Sequence, residues 1–169
     1  MATEAKTDSK VSTASAVPAG SVVNSSRLVA DRWTPNLARG GWTPIADFFL
    51  DNYHRLPKPL KYSEAMFVIH VMRHKWDKNA PYPAFKTIAT RMGLTPEAAR
   101  LLARSLEKKG YLHRQMRVGQ TNRFHFNSLF AALEQLMAND AIEKIAKQRR
   151  EDQEVAAYLD ATLASAELG

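Results

Sequence analysis

The sequence GLTP at residues 93–96 joins two short helical segments and constrains the fold more than any other feature of the chain. Gly93 can adopt the positive φ angle that ends a helix, so the segment before it is predicted to stop there. Thr95 is a favoured N-cap and Pro96 a favoured first helical residue, so a second helix is predicted to start at once and to end at Gly110. With so short a joint, the two helices must cross at an angle.

Apolar residues around this joint recur at helical spacing and predict which faces are buried. The first helix is predicted to bury Phe85, Ile88, Ala89 and Met92. The second is predicted to bury Ala99, Leu102, Ala103 and Leu106. Leu94 is predicted to be a buried residue of the turn. An earlier helix, residues 61–76, is predicted to bury one broad face made of Tyr62, Ala65, Met66, Ile69, Met72 and Trp76.

Residues 111–116 and 122–126 alternate in the manner of strands, with Gly119 at the turn between them, which predicts a β-hairpin. Asn127 or Ser128 is predicted to cap a following helix. Two crossed helices and a hairpin form a winged helix-turn-helix, so the predicted fold class is mainly α with a small β-hairpin wing (α+β). In this fold the second helix fits the major groove of DNA, and cations on the wing neutralise phosphates.

The predicted organisation has three parts: a disordered N-terminal tail at residues 1–30, a winged helix-turn-helix domain at 41–138 and a C-terminal helix at 139–169. Small and polar residues without sustained periodicity dominate the tail. Two short sequences, RWTP at 32–35 and GWTP at 41–44, are each predicted to start a helix, with Thr as N-cap and Pro as first residue.

Positive charge is concentrated around the predicted helix-turn-helix. Residues 83–126 hold nine Lys or Arg and only two acidic residues, while the net charge of the whole chain is +7. Charge of one sign concentrated in this way attracts polyanions, whereas a merely soluble surface mixes its signs. The composition therefore favours a nucleic acid as the partner.

Three stretches resemble the winged helix-turn-helix domains of bacterial plasmid and phage replication initiators and of some transcriptional regulators: GGWTPIADFFLDNY, IATRMGLTPEAARLLARSLEKKGYL and RVGQTNRFHFNSLFAALEQL. The resemblance covers residues 41–136. It implies that residues 95–109 and the wing at 117–123 bind double-stranded DNA. Ala98 and Leu101 stand at positions that are often polar in relatives, a departure that weakens base readout there.

The predicted DNA-binding residues lie on the two helices and the wing: Lys86, Thr95, Pro96, Glu97, Arg100, Leu101, Arg104, Lys108, Arg117, Gln120, Thr121 and Arg123. Arg100 and Glu97 are the best candidates for reading bases, because arginine pairs with guanine in a bidentate manner and glutamate accepts from cytosine. Alternatively, Glu97 stabilises the helix N-terminus and pairs with Arg100 or Arg104. The wing residues are predicted to reach phosphates or the minor groove, with Asn122 holding the turn.

No constellation of catalytic residues is present, so the chain is predicted not to be an enzyme. It has no cysteine and lacks the phosphate-binding GxxxxGK[ST] loop, HExxH, GxSxG and His-x-His. We therefore expect no cofactor, no metal and no small-molecule substrate. His70 and His74 have the spacing of a metal clamp on a helix, but a solvated or phosphate-facing surface explains them more simply. No apolar run is long enough to cross a membrane, which predicts a cytoplasmic protein.

Two interpretations concern partners other than DNA. Winged helices also serve as protein–protein adaptors, and Ala98 and Leu101 make the second helix less polar than a typical groove reader. In the C-terminal helix an apolar edge is formed by Ile142, Ile145, Ala156, Leu159 and Leu163. Arg149, Asp152 and Gln153 interrupt a heptad seam along this edge, so a long coiled coil is not expected. Short antiparallel pairing of two copies, or packing on its own domain, is left open.

A homodimer is predicted because one winged helix reads few base pairs. Useful specificity in a genome usually needs two half-sites about one helical turn apart. The C-terminal helix is the first candidate for the contact, and the segment 44–53 is the second.

Overall fold

The structure, a computed structural model, describes residues 25–167, and the side-chain environment of residues 29–163. The order of elements is α1 (Ser25–Arg32), α2 (Pro35–Arg39), α3 (Asp47–Asn52), α4 (Tyr62–Met72), α5 (Phe85–Met92), α6 (Pro96–Lys109), β1 (His113–Gln115), β2 (Arg123–His125) and α7 (Asn127–Glu167). Of the described residues, 25–42 belong to one compact unit and 43–167 to another.

The first unit contains α1 and α2. Most of the predicted disordered tail lies outside the described residues, but its last residues, from Ser25, belong to α1 instead. The start of α2 confirms the prediction for RWTP, since Thr34 Oγ1 accepts from Leu37 N (3.2 Å) and Pro35 is the first helical residue.

At GWTP the prediction was wrong, because α3 starts three residues after Pro44. Ala46 is still extended, with ψ 127°, and precedes the first helical residue, Asp47. The carboxylate of Asp47 lies in the first helical turn, where the helix dipole favours negative charge.

The core of the second unit lies where α4, α5, α6, the hairpin and the start of α7 meet. Its largest fully buried apolar side chains are Phe67, Phe124, Leu56, Ile88, Leu106, Leu129 and Val71. The face predicted for α4 was partly wrong, since Tyr62 and Trp76 are exposed. Nearly every residue of α4 is apolar, so periodicity alone could not select the buried face.

The helix-turn-helix itself follows the prediction closely. Gly93 ends α5 with φ 67°, and Gly110 ends α6 with φ 83°. Thr95 Oγ1 accepts from Ala98 N (3.2 Å) and Pro96 is the first residue of α6. One detail was wrong, because Leu94 is exposed. Its backbone N donates to Ala89 O (2.9 Å), so a main-chain bond closes the turn without a buried side chain.

The wing is a two-stranded antiparallel hairpin. His113 pairs with His125, Arg114 with Phe124 and Gln115 with Arg123, so each strand is shorter than predicted. Gly119 at the turn has φ 68°, a conformation that favours glycine. Phe124 is buried, and its backbone N donates to Pro81 O (2.9 Å), which attaches the hairpin to the segment before α5.

Helix α7 is continuous for 41 residues and has no break at the predicted boundary after residue 138. Its first turns pack on the domain through Leu129 and Leu133, which are buried. Asp140 accepts two hydrogen bonds from Arg55, each 2.7 Å long. From residue 141 through 163 every residue is exposed, so only the beginning of the helix packs on its own domain.

Candidate nucleic-acid interface

The outward face of α6 presents six of the twelve side chains that were predicted to contact DNA. Ala99, Ala103 and Leu106 hold the opposite face in the core. Because a helix repeats every 3.6 residues, burial of these three turns a different set toward solvent. The exposed residues of this surface are Thr95, Glu97, Arg100, Leu101, Arg104 and Lys108. Pro96 is half-buried beside them.

A cleft of about 580 Å³ separates this helix from the wing. We call it the basic cleft; its lining includes Lys86, Arg100, Arg104, Arg114, Met116, Gln120 and Thr121. Five of these, all but Arg114 and Met116, are predicted DNA-binding residues. They come from α5, α6 and the wing turn, so the tertiary fold brings together residues as far apart in sequence as Lys86 and Thr121.

The ring of Phe85 forms an aromatic platform in this cleft. The guanidinium carbon of Arg100 lies 5.6 Å from the ring centroid, and that of Arg114 lies 5.6 Å from it as well. Phe85 in turn packs edge-on against Phe124, with ring centroids 5.5 Å apart. Cation–π attraction at this distance orients the two arginines on a rigid core residue. This role was not predicted, because helical spacing identified Phe85 only as an inward residue.

Arg100 and Glu97 form an ion pair, with Nη1 and Oε1 2.8 Å apart. Both side chains are exposed, so water and salt weaken this pair. This ion pair is the alternative role that the sequence predicted for Glu97, pairing with a neighbouring arginine of the same helix. To form hydrogen bonds with a base edge, Arg100 must therefore first break its ion pair with Glu97.

Arg114 is one of the nine cations of residues 83–126, but in the folded protein its charge is neutralised by an ion pair with Glu107. Its Nε and Nη2 donate to the two carboxylate oxygens of Glu107, at 2.6 and 2.7 Å. This bidentate pair joins β1 to α6 and fixes one wall of the basic cleft.

Lys109 is neutralised in the same way, by the buried carboxylate of Glu64. Lys109 Nζ and Ser105 Oγ both donate to Glu64, whose Oε2 also accepts from the backbone of Lys61. Burial alone would raise the pKa of Glu64, but these hydrogen bonds together lower it below its ordinary value. The cluster joins the last turns of α6 to the first turn of α4. One signal for it is visible in the sequence, a charged residue within an otherwise apolar helix.

At the wing tip, Arg117 has two intramolecular contacts. Its Nε donates to the backbone oxygen of Thr121 (2.9 Å), and its guanidinium carbon lies 5.2 Å from the centroid of the Tyr82 ring. These contacts hold the turn around Gly119, a role predicted for Asn122. Arg117 is not part of the lining of the basic cleft.

Arg123 lies outside the basic cleft as well. It lines a separate hollow of about 250 Å³ together with Lys75, Lys78 and His125. Its neighbour Phe124 is buried in the core, and successive side chains of a strand point to opposite faces. The Nε of Arg123 is buried without a hydrogen-bond partner among the described residues. The structure thus separates Arg123 from the residues with which the sequence grouped it.

His70 and His74, the possible metal clamp, lie on α4 and just after it. Arg91 Nη1 donates to His74 Nε2 (2.5 Å), which requires the neutral ring, because arginine has no acceptor. Burial, followed by the charges of Arg91 and Arg73, lowers the pKa of His74 below its ordinary value. Within residues 25–167, no three His, Asp or Glu side chains lie close enough together to hold a metal.

Comparison with protein families identifies part of this architecture. Residues 59–112 match the family model described as a helix-turn-helix domain. The matched segment spans α4, α5 and α6 and ends just before β1, so the structure adds the wing. Over residues 59–112 the chain is therefore similar to helix-turn-helix domains. A comparison with curated protein sequences finds no significant match. Among the described residues, no helix is long and apolar enough to cross a membrane.

Proposed function

We propose that this protein binds double-stranded DNA, with the N-terminal half of α6 in the major groove and the wing along the adjacent backbone. The observation that carries the proposal is the basic cleft, where Lys86, Arg100 and Arg104 converge on one side of a helix-turn-helix. The width of a major groove accommodates one α-helix, and cations on both sides of such a helix meet the two phosphate backbones.

Different residues have different parts in this proposal. Arg100 and Glu97 read base edges from the first two turns of α6, and Thr95, Pro96 and Leu101 line the same surface. Phosphate contacts come from Lys86, Arg104, Lys108, Arg117, Gln120, Thr121 and Arg123. The closeness of Arg100 and Glu97 supports joint readout of one base pair once their ion pair opens, because arginine donates to guanine while glutamate accepts from cytosine.

The biological process is transcription regulation or the initiation of plasmid or phage replication, which belongs in the cytoplasm. Both processes use the same DNA-binding device and differ in where the bound site lies. Selection of bound sequences from a random duplex pool, followed by locating those sequences beside an origin or a promoter, separates the two.

The binding test uses the full-length chain and a fluorescent duplex across a salt series. We expect affinity to fall steeply with salt, and Arg104→Ala to reduce the slope of log K against log salt by about one. Lys144→Ala is the matched control, because it removes one exposed positive charge from α7, away from the cleft. Absence of binding at low salt, or equal effects of the two variants, would contradict the proposal.

A second candidate function is a protein–protein adaptor within a nucleoprotein complex. Exposed apolar side chains favour it, namely Leu101 on α6 and Met116 and Val118 on the wing. The positive charge of this surface argues against an adaptor, because apolar contacts here would have to bury the neighbouring arginines away from water. If the full-length chain did not bind duplex DNA at low salt, that result would support the adaptor function.

We further propose that the active species is a homodimer formed through the C-terminal part of α7. Residues 141–163 are exposed, although this segment contains several large apolar side chains. Two copies would supply two reading helices, which a single-motif chain needs for useful specificity. Light scattering on the full-length chain tests this, and a monomer both alone and on DNA would refute it.

A further inference from the structure

The exposed part of α7 carries an apolar stripe whose spacing is that of a coiled coil. Steps of four and three residues alternate along one face from 138 to 163, and two of these positions carry charged residues among apolar ones. We call this the α7 stripe; its members are Ala138, Ile142, Ile145, Arg149, Asp152, Ala156, Leu159 and Leu163. Each of the four large apolar residues is more than half exposed. Water contact along such a stripe is unfavourable, which favours its burial against another surface.

Charged residues surround the α7 stripe but lie mostly outside it. Off the stripe, the helix between its ends also carries Asp140, Glu143, Lys144, Lys147, Arg150, Glu151, Glu154 and Asp160. All eight occupy the remaining helical positions, where they stay in water if the stripe is covered. This division of apolar and charged residues is typical of a helix that pairs with another helix.

Two charges, Arg149 and Asp152, stand in the middle of the stripe and decide how a partner can be oriented. The side chain of Arg149 forms no ion pair or hydrogen bond with the described residues, and Asp152 Oδ1 accepts from Gln148 Nε2 (2.9 Å). Burying either charge without an opposite charge is costly. A parallel pair of helices would place Arg149 against Arg149 and Asp152 against Asp152, so like charges would repel in two successive layers.

An antiparallel pair removes this repulsion. With the two-fold axis between Arg150 and Glu151, Arg149 of each copy lies opposite Asp152 of the other. The same axis places Ile142 opposite Leu159 and Ile145 opposite Ala156. Ala138 then lies opposite Leu163, so a single register matches every layer of the stripe. The two charges that interrupt the apolar stripe of one helix thus complement each other between two helices.

We propose that residues 138–163 form an antiparallel two-helix coiled coil between two copies of this chain, centred on reciprocal Arg149–Asp152 ion pairs. The inference rests on the homodimer of the proposed function and adds its orientation and register. A helix rises 1.5 Å per residue, so the pairing holds Leu133 of one copy about 50 Å from Leu133 of the other. Orientation therefore sets the separation of the two DNA-binding domains.

A charge exchange tests the orientation, using the full-length chain and sedimentation over a concentration series. Arg149→Asp places two acidic residues in each central layer, and Asp152→Arg places two basic residues there. We expect each variant alone to dimerise at least tenfold more weakly than the native chain. An equimolar mixture of the two variants restores one acidic and one basic side chain in each central layer, so we expect native-like association.

Arg150→Asp is the matched control for the charge change, since Arg150 is the next residue and lies off the stripe. We expect it to dimerise as the native chain does. Because the chain has no cysteine, introduced thiols report orientation directly. Under oxidation, a mixture of Ile142→Cys and Leu159→Cys chains should cross-link, while neither chain should cross-link alone.

The outcomes separate this inference from the rest of the proposal. Antiparallel pairing is overturned if single variants dimerise normally, if their mixture does not recover, or if each cysteine chain links to itself. A native chain that is monomeric at every concentration overturns both the pairing and the homodimer. In that case the salt-dependent DNA binding of the monomer still decides the proposed function.

Discussion

Lys109 at the end of α6 donates a hydrogen bond to the buried carboxylate of Glu64 in the first turn of α4. The two residues are 45 positions apart in sequence. The carboxylate of Glu64 accepts hydrogen bonds from Lys109, Ser105 and the backbone of Lys61, so Glu64 is the one acidic residue of this cluster. This cluster fixes the orientation of the helix that carries the proposed base-reading residues.

We expect Glu64→Gln to lower the free energy of unfolding by about 2 to 3 kcal/mol, because it leaves the ammonium of Lys109 in a largely buried position without its counter-charge. Urea denaturation at neutral pH measures the loss. Glu97→Gln is the control, since it breaks the exposed pair with Arg100 and should cost at most ~0.5 kcal/mol. Equal losses in the two variants would show that burial of Glu64 contributes nothing.

Acid should weaken the domain through His74. Its pKa in the folded state is lowered by burial and by Arg91 and Arg73, so the unfolded state binds the proton more readily. The stability that neutral His74 contributes is present above its ordinary pKa of about 6.5 and is lost as the pH falls below that value. Urea midpoints between pH 7.5 and pH 5 should therefore decrease.

The variant His74→Gln should flatten this decrease, because glutamine accepts a hydrogen bond from Arg91 without titrating. His70 keeps part of the effect, since burial and the same two arginines lower its pKa as well. The native chain, measured over the same pH range, is the reference. If His74→Gln retains the full slope, the His74–Arg91 contact is not the cause.

Arg100→Ala and Lys86→Ala should differ in how they affect binding to different duplexes. Arg100 is proposed to read a base, so its loss should cost about 1 to 3 kcal/mol on the selected site and little on a scrambled duplex. Lys86 is proposed to contact phosphate, so its loss should weaken both duplexes equally. Affinities for the two duplexes measure this, and an equal loss with Arg100→Ala would make Arg100 a phosphate contact.

The aromatic platform predicts that Phe85→Leu weakens DNA binding by about three- to tenfold, because Arg100 and Arg114 lose the ring that orients them. Phe130→Leu is a matched control, since Phe130 is also a half-buried aromatic but packs on Phe126. Both variants should lose similar stability in urea, and only Phe85→Leu should lose affinity. Unchanged affinity in Phe85→Leu would remove the platform from the binding mechanism.

Local chemistry explains why the sequence predicted the helix-turn-helix so closely. The ends of α5 and α6 depend on Gly93, Thr95, Pro96 and Gly110, whose backbone preferences act within a few residues. The same reasoning located the cap at Thr34. At Pro44 it was wrong, because the competing preference of Asp47 for a first helical turn lay only three residues ahead.

By itself, therefore, the sequence determined the turn, the helix boundaries around it and the position of the hairpin, because short-range backbone and capping preferences specify them. Only the tertiary structure decided which face of the mostly apolar α4 is buried and which cations remain available. Ion pairs with Glu64 and Glu107 neutralise Lys109 and Arg114. Arg123, on β2, lies outside the basic cleft. The two ion pairs join different elements, and periodicity within one element carries no information about such contacts. Strand alternation separates Arg123 from Phe124, but which face of the hairpin meets the basic cleft depends on tertiary packing.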